Sequence, residues 1–320
     1  MPHQPTKPPV LAVVVPCYNE DRVLSLTAAE LLKVLSDLSK KEKIACQSFI
    51  YFVDDGSHDS TWSIIEELHA EHPNIKGLKL AHNAGHQHAL LAGMLSLRGK
   101  VDCIISADSD LQDDISTIEP MFDEYSKGCD IVFGVRKNRD LDTFFKRLSA
   151  QAFYKTMTTM GVDIIDNHAD YRLLSSRALD ALSEFKEVNL FLRGIIPQLG
   201  FRTSKIYYNR LQRSAGVSKY NLSKMLSFAF DGITSFSIVP LRIITVLGLL
   251  FSCLSLSLGV WVFISYLFGR TVPGWASTVL PIYVFGGIQL LSIGIIGEYL
   301  GKIFKEVKAR PRYIVEQELF

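Results

Sequence analysis

Residues Cys103–Asp114 read CIISADSDLQDD. An apolar run, Cys103-Ile104-Ile105, enters a cluster that holds Asp108, Asp110, Asp113 and Asp114. Carboxylates packed this closely repel one another, so a chain that ends an apolar strand on them needs a counter-charge at that point. The run is continuous, not alternating, which predicts a strand inside a sheet covered on both faces.

Working outward, the same pattern recurs. Short β-branched runs occur at Val10–Val15, Phe49–Val53, Ile75–Leu80, Val101–Ser106 and Asp130–Val135. Helix-like segments lie between them, near Asp21–Ser39, Ser60–Ala70, His86–Leu97 and Ile115–Lys127. Strand–helix alternation of this kind predicts an α/β fold with a mostly parallel sheet. Ligands bind such sheets beyond the carboxyl ends of the strands. The polar signals fall there: PCYNE (Pro16–Glu20), DDGSHDST (Asp54–Thr61), DSDLQ (Asp108–Gln112) and GVRKNR (Gly134–Arg139).

No GxGxxG follows the first strand, which argues against a dinucleotide dehydrogenase, and no GxxxxGK[ST] is present to make a P-loop. A nucleotide's phosphates then need another counter-charge. Carboxylates at i and i+2, Asp108 and Asp110, can hold a hard divalent cation that neutralises a diphosphate, with Gln112 completing or supporting the coordination. Asp54 or Asp55 can accept a base N–H, and Gly56 permits a tight turn there. His82, His86 and His88 cluster in HNAGHQHAL, but no carboxylate or cysteine beside them completes a metal set. A helix starting near His86 can instead help bind an anion.

The chain has 320 residues, a formal net charge of +1 and a mean hydropathy of +0.18. The balanced charge gives no general attraction to nucleic acid. Cys17, Cys46, Cys103, Cys129 and Cys253 form no CxxC pair and no disulfide framework, so free thiols in a reducing compartment are expected. The proline-rich start, residues 1–9, is expected to be disordered, and the apolar run after it is too short for a signal-peptide core.

The excess hydropathy is local. Ile243–Gly269 and Thr271–Gly297 contain no charged residue, and Arg270 alone separates them. Each stretch exceeds the roughly 20 residues that span a bilayer core, so 243–297 is expected to be a two-helix transmembrane hairpin. Arg213, Lys219, Lys224 and Arg242 flank it upstream, and Lys302, Lys305, Lys308, Arg310 and Arg312 downstream. The positive-inside rule puts both flanks in the cytoplasm. Leu222, Met225, Leu226, Phe230 and Ile233 recur at roughly helical spacing, so 219–242 is expected to be an amphipathic helix on the membrane surface. Residues 298–320 are left as a cytosolic basic tail.

Seven motifs occur in order: VVVPCYNE, FVDDGSHDST, NAGHQHALLAGM, ADSDLQDD, GVRKNR, ADYRLLSSR and RSAGVSKY. Together with the paired apolar stretches and the closing GEYLGKIFKEVKARPRYIV, they resemble family 2 glycosyltransferases that load sugars onto polyprenyl phosphates. The resemblance runs from about Val10 to Arg312. It is greatest to bacterial and phage bactoprenol (undecaprenyl-phosphate) glucosyltransferases, with dolichol-phosphate mannose synthases more distant.

The resemblance implies a GT-A (Rossmann-like) domain over 10–218. It places Pro16, Tyr18, Glu20 and Asp54 or Asp55 in the nucleoside pocket. Asp108, Asp110 and Gln112 would hold Mg²⁺ or Mn²⁺. Asp170 and Arg172 would face the reacting sugar. Arg136 and Arg147 would engage the lipid phosphate, and Arg210, Arg213 and Lys219 would clamp phosphate oxygens. It further implies a nucleotide-sugar donor, a polyprenyl-phosphate acceptor in the cytoplasmic membrane, a cell-envelope role and a homo-oligomer, a tetramer in related proteins. The chain departs from the pattern mildly, with DSDLQDD where DADLQ and a nearby proline are frequent, and ADYR where GDFR is frequent. Three alternatives stay open: a different donor, such as GDP-mannose or a modified arabinose donor; an inactive membrane-anchored scaffold; and a processive synthase, whose QxxRW motif has no tryptophan counterpart in RLQRSAGVSKY.

Overall fold

Four strands pair in parallel at the centre of the sheet. β1 (Leu11–Cys17) lies between β2 (Phe49–Asp54) and β4 (Cys103–Ser106), and β3 (Ile75–Leu80) extends it beyond β2. In this computed structural model, residues 7–137, 168–188, 191–209, 239–268 and 274–320 are described. Their sheet has eight strands in the order β7-β5-β6-β4-β1-β2-β3-β8. β5 (Ile131–Arg136) and β7 (Thr203–Tyr208) pair in parallel. β6 (His168–Ser175) runs antiparallel between β4 and β5, and β8 (Val315–Leu319) runs antiparallel along β3. The sheet is therefore mixed but mostly parallel.

The five strands expected from apolar runs are all present within two residues of their expected limits. β1, β2 and β4 are buried along their whole length. That is why their sequences are continuously apolar and not alternating. Helices cover both faces. α1 (Leu24–Lys40), α2 (Thr61–Glu71) and α4 (Ile118–Ser126) bury Leu31, Leu35, Ile65 and Phe122 against Val13, Val15, Phe52 and Ile105. α3 (His86–Ser96) covers the opposite face, beside α5 (Ser176–Ser183). α6 (Leu192–Gln198) packs on β6.

α3 approaches the sheet closely because Gly93 has no side chain. A Cβ there would lie 2.5 Å from Val53 Cγ2 and 2.7 Å from Val14 Cγ1. Overpacking a filled core costs about 1–3 kcal/mol, so Gly93→Ala is expected to lower the thermal midpoint. An unchanged midpoint would mean that α3 shifts away without cost.

The chain divides into two compact units. One holds the sheet, β8 included, and the other holds α7 (Val239–Leu267) and α8 (Trp275–Lys308). Among the described residues, Val284–Lys308 is the one segment long and apolar enough to cross a membrane, and Val239–Phe251 is a shorter apolar helix segment. α7 includes Val239–Arg242, which the sequence had assigned to the surface helix. Residues 219–238 of that expected helix, Arg147, Arg210, Arg213, Lys219 and Arg270 lie outside the described residues, as do residues 1–6.

The basic tail is not only a tail. α8 continues to Lys308, Ala309 ends it in the left-handed region at φ 44°, and Pro311 follows. Residues 315–319 then join the sheet. Tyr51 Oη and Lys100 Nζ each donate to Glu318 Oε1, at 2.9 and 3.1 Å, and Lys79 Nζ lies 3.1 Å from Glu316 Oε1. The Phe320 ring has Lys76 Nζ at 3.3 Å and Lys100 Nζ at 4.0 Å from its centroid.

Candidate active site

The register of β4 against β6 builds the centre of the site. Ser106 stands opposite Arg172. Two residues on from Ser106 is Asp108, and two residues back from Arg172 is Asp170. Antiparallel pairing therefore delivers both carboxylates to the same edge, where β1, β2 and β4 end. Ser106 Oγ donates to the Asp170 carbonyl and braces this junction.

His86 joins the two carboxylates. Its Nε2 lies 3.8 Å from Asp108 Oδ1 and 3.7 Å from Asp170 Oδ2. The end of β2 sets its position, because Asp55 accepts hydrogen bonds from Ala84 N (2.7 Å) and Gly85 N (3.0 Å), immediately before α3 begins. Gly56, at φ +66°, lets this turn come close to the loop after β3, where a Cβ would lie 2.6 Å from the His82 carbonyl carbon.

Asp170 is paired with two arginines. Arg172 Nη2 contacts its Oδ1. Arg193, in the first turn of α6, donates from Nε to Oδ1 at 3.2 Å and from Nη2 to Oδ2 at 2.9 Å. Arg172 is completely buried. Burial alone would raise the Asp170 carboxyl, but the Arg193 and Arg172 guanidiniums outweigh it and hold the group well below the usual carboxylate range.

Asp108 has the opposite environment. Burial pushes its carboxyl up to about 6, His86 partly opposes this, and the charges of Asp113, Asp170 and Asp110 add to the rise. The loop turns at Leu111, φ 51°, and Asp110 Oδ1 accepts from Gln112 N at 3.2 Å. Thr27 Oγ1 donates to the Ser109 carbonyl at 2.6 Å and ties the loop to α1. Gln112 is buried. Among the described residues no three His, Cys, Asp or Glu side chains are arranged to hold a metal by themselves. Two hard carboxylates that repel each other still fit a divalent cation that takes its remaining oxygens from phosphate and water, which is how Mg²⁺ is commonly held.

Of the nucleoside-pocket residues, Pro16 pairs with Val53 at the end of β1, and Tyr18 is exposed just beyond it. The Glu20 carbonyl accepts from Val23 N and Leu24 N, and Glu20 N donates to Thr61 Oγ1 at 2.9 Å, which joins this loop to α2. The two aspartates after β2 differ. Both Asp55 oxygens receive loop N–H groups, whereas Asp54 accepts from Ser57 N through Oδ1 and has its Oδ2 buried without a hydrogen-bond partner. Asp54 thus keeps one oxygen without a hydrogen-bond partner, in a side chain with no exposed surface.

Arg136 is engaged within the protein. Its Nη2 donates to Asp113 Oδ1 at 3.2 Å and its Nε to Tyr208 Oη at 3.3 Å, while Tyr208 Oη donates to Asp113 Oδ1 at 2.6 Å. Sequence reasoning missed Arg193 altogether and saw His86 only as one of a histidine cluster and as part of a helix start. The signal for Arg193 was a lone charge in an apolar run, Phe191–Ile196 (FLRGII).

Residues 12–183 match Glycosyl transferase family 2. The glycosyltransferase YkoT of Bacillus subtilis is 50% identical over 98% of this chain and 93% of its own length. The glycosyltransferase sll0501 of Synechocystis is 37% identical over 95% of this chain and 94% of its own. The bactoprenol glucosyl transferase of Shigella phage SfX is 36% identical over 96% and 98%. With a family match across more than half its length, and with His86, Asp108, Asp170 and two arginines gathered at the carboxyl edge of a mostly parallel sheet, the chain is a glycosyltransferase that belongs to glycosyl transferase family 2.

Proposed function

We propose that this glycosyltransferase moves a hexose, glucose, from UDP-glucose to polyprenyl (undecaprenyl) phosphate, with inversion at the anomeric carbon. The observation that carries this reading is the near full-length likeness to the phage bactoprenol glucosyl transferase, 98% of whose length is matched, apolar C-terminal part included. The product, a lipid-phosphate-linked sugar, suits cell-envelope glycosylation.

The chemistry follows from charge. A phosphate monoester has its second pKa near 6, so the acceptor oxygen is already an anion and needs little help from a base. Asp170, locked as a carboxylate by two guanidiniums, accepts hydrogen bonds from sugar hydroxyls. The acceptor oxygen attacks C1 from the face opposite the diphosphate. The C1–O bond breaks and the nucleoside diphosphate leaves with the electron pair. An α-linked donor then gives a β-linked product. Asp108 and Asp110, with Gln112 in support, would hold Mg²⁺ or Mn²⁺, which would supply the neutralising charge for the diphosphate. Asp54 reads the base, and Pro16, Tyr18 and Glu20 line the nucleoside pocket. Arg136, Arg147, Arg210, Arg213 and Lys219 supply positive charge towards the phosphates.

The membrane part keeps the site within reach of a headgroup at the bilayer surface. Exposed Leu249, Leu290 and Leu291 on α7 and α8 suit lipid contact. α7, at 29 residues, and α8, at 34, are each longer than the roughly 30 Å bilayer core at 1.5 Å per residue. A parity argument supports two spans. The chain leaves the sheet before α7 and returns to it at β8, so the crossings between must be even in number. If α8 crosses, a second crossing is needed, for which α7 is the long apolar candidate, and the flanking basic residues favour a sheet on the cytoplasmic side.

The test is the full-length protein in detergent with undecaprenyl phosphate, Mg²⁺ and a panel of nucleotide sugars. UDP-glucose is expected to give a β-linked glycolipid, and excess chelator is expected to stop its formation. A retained α linkage, or full turnover in chelator, contradicts the mechanism. Product from GDP-mannose or a modified arabinose donor alone changes the sugar but keeps the reaction class. No lipid-linked product with any donor overturns the reading in favour of an inactive scaffold.

A further inference from the structure

Among the described residues, the segment from which Arg193 reaches Asp170 has no strand pairing of its own. Its struts include three from side chains. The His88 ring Nε2 lies 3.3 Å from the Val188 carbonyl. Leu192 N donates to Gln87 Oε1 at 3.0 Å. Arg312 Nη2 donates to the Phe185 carbonyl at 2.5 Å. Two struts thus start from the first turn of α3, next to His86, and the third from the residues that follow α8. The fully buried Arg172 adds a fourth contact, from Nη1 to the Leu192 carbonyl at 3.4 Å.

We propose that Arg193 is a positioning residue for sugar transfer: its planar fork fixes the Asp170 carboxylate opposite His86, and Gln87, His88 and Arg312 place the fork. The geometry argues for this role. Arg172 alone touches one oxygen of Asp170, so the carboxylate could still turn about its own axis. Arg193 engages both oxygens at once, and a two-point contact removes that rotation. A lysine keeps the charge but not the fork. The inference rests on the transfer reading above, with Asp170 beside the reacting sugar.

The test measures kcat and both KM values for the full-length protein and for Arg193→Met, Arg193→Lys and Gln87→Met, with thermal midpoints alongside. Misplacement of a reacting group by about 1 Å can cost 10²-fold in rate. Arg193→Met is expected to lose about that much in kcat, with both KM values little changed and a lower thermal midpoint, because the desolvated Asp170 keeps only Arg172. Arg193→Lys should recover only a small part, and Gln87→Met should show a smaller loss of the same kind. Wild-type kcat in Arg193→Met overturns the proposal. So does a loss confined to KM, which would make Arg193 a substrate ligand, or full rescue by lysine, which would make charge alone sufficient. If Arg193→Met fails to fold, Gln87→Met decides, and an unchanged kcat there overturns the proposal. A wild-type chain that transfers no sugar sinks the transfer reading and this inference with it. Wild-type transfer with an unimpaired Arg193→Met sinks this inference alone.

Discussion

Replacing Asp108 and Asp110 together by asparagine is expected to lower sugar transfer by about 10³-fold or more while leaving the protein as stable as before, or more so. The two effects have one origin. Asp108 is half-buried and crowded by Asp113, Asp170 and Asp110, and its partial desolvation, with those charges, pushes its carboxyl up to about 6 in the folded chain. The unfolded value is near 3.9. A carboxyl raised on folding binds more protons in the native state, so stability falls as pH rises through that window, and at neutral pH its ionisation is a cost. Asparagine removes the cost. It also removes the charge that a diphosphate's cation needs, so the rate falls as the fold firms. Turnover and thermal midpoint, measured on the same preparation, check both halves. Near wild-type glycolipid synthesis would remove Asp108 and Asp110 from the chemistry, and a large loss of stability would mean that the loop needs its charges for structure.

Asp170→Ala should do the reverse on stability. It strands Arg172, which has no exposed surface, and takes the carboxylate from Arg193. Breaking a buried pair by removing one partner costs about 3–5 kcal/mol. Replacing both members by apolar residues is often close to neutral, so Asp170→Ala with Arg172→Met is expected to regain most of the stability and none of the transfer. Recovery of both would make the pair structural only. The pH dependence has a definite sign. A carboxylate held below its unfolded pKa stabilises the fold at all pH values above about 4, and the contribution fades as pH falls towards the folded value. The Asp170 contribution should therefore be constant across neutral pH and weaken only in acid.

The sheet was legible where burial is two-sided. β1, β2 and β4 are apolar at consecutive positions because both faces are covered. β6 was visible only as the motif ADYR, since a strand that carries Asp170 and buries an arginine breaks the apolar pattern. β7 and β8 are edge strands with exposed positions, Thr203, Lys205 and Tyr207 in one and Val315–Glu318 in the other, so no apolar run marks them. Asp108, Asp110 and Asp170 were readable from type and spacing, but their convergence was not, because it depends on the antiparallel register of β4 and β6. His86 and Arg193 come from two helices on separate parts of the chain, and no local pattern links them. Arg136 was readable as a phosphate ligand, but its contacts with Asp113 and Tyr208 were not.

The place of β8 has a consequence for how the protein is made. A ribosome reaches residues 315–319 only after both long helices have been synthesised. Until then the outer edge of β3 has no partner strand, and unpaired edges invite association with other chains. Closure of that edge thus waits for both helices, so a nascent chain stalled before β8 carries a nearly finished sheet with one side still open.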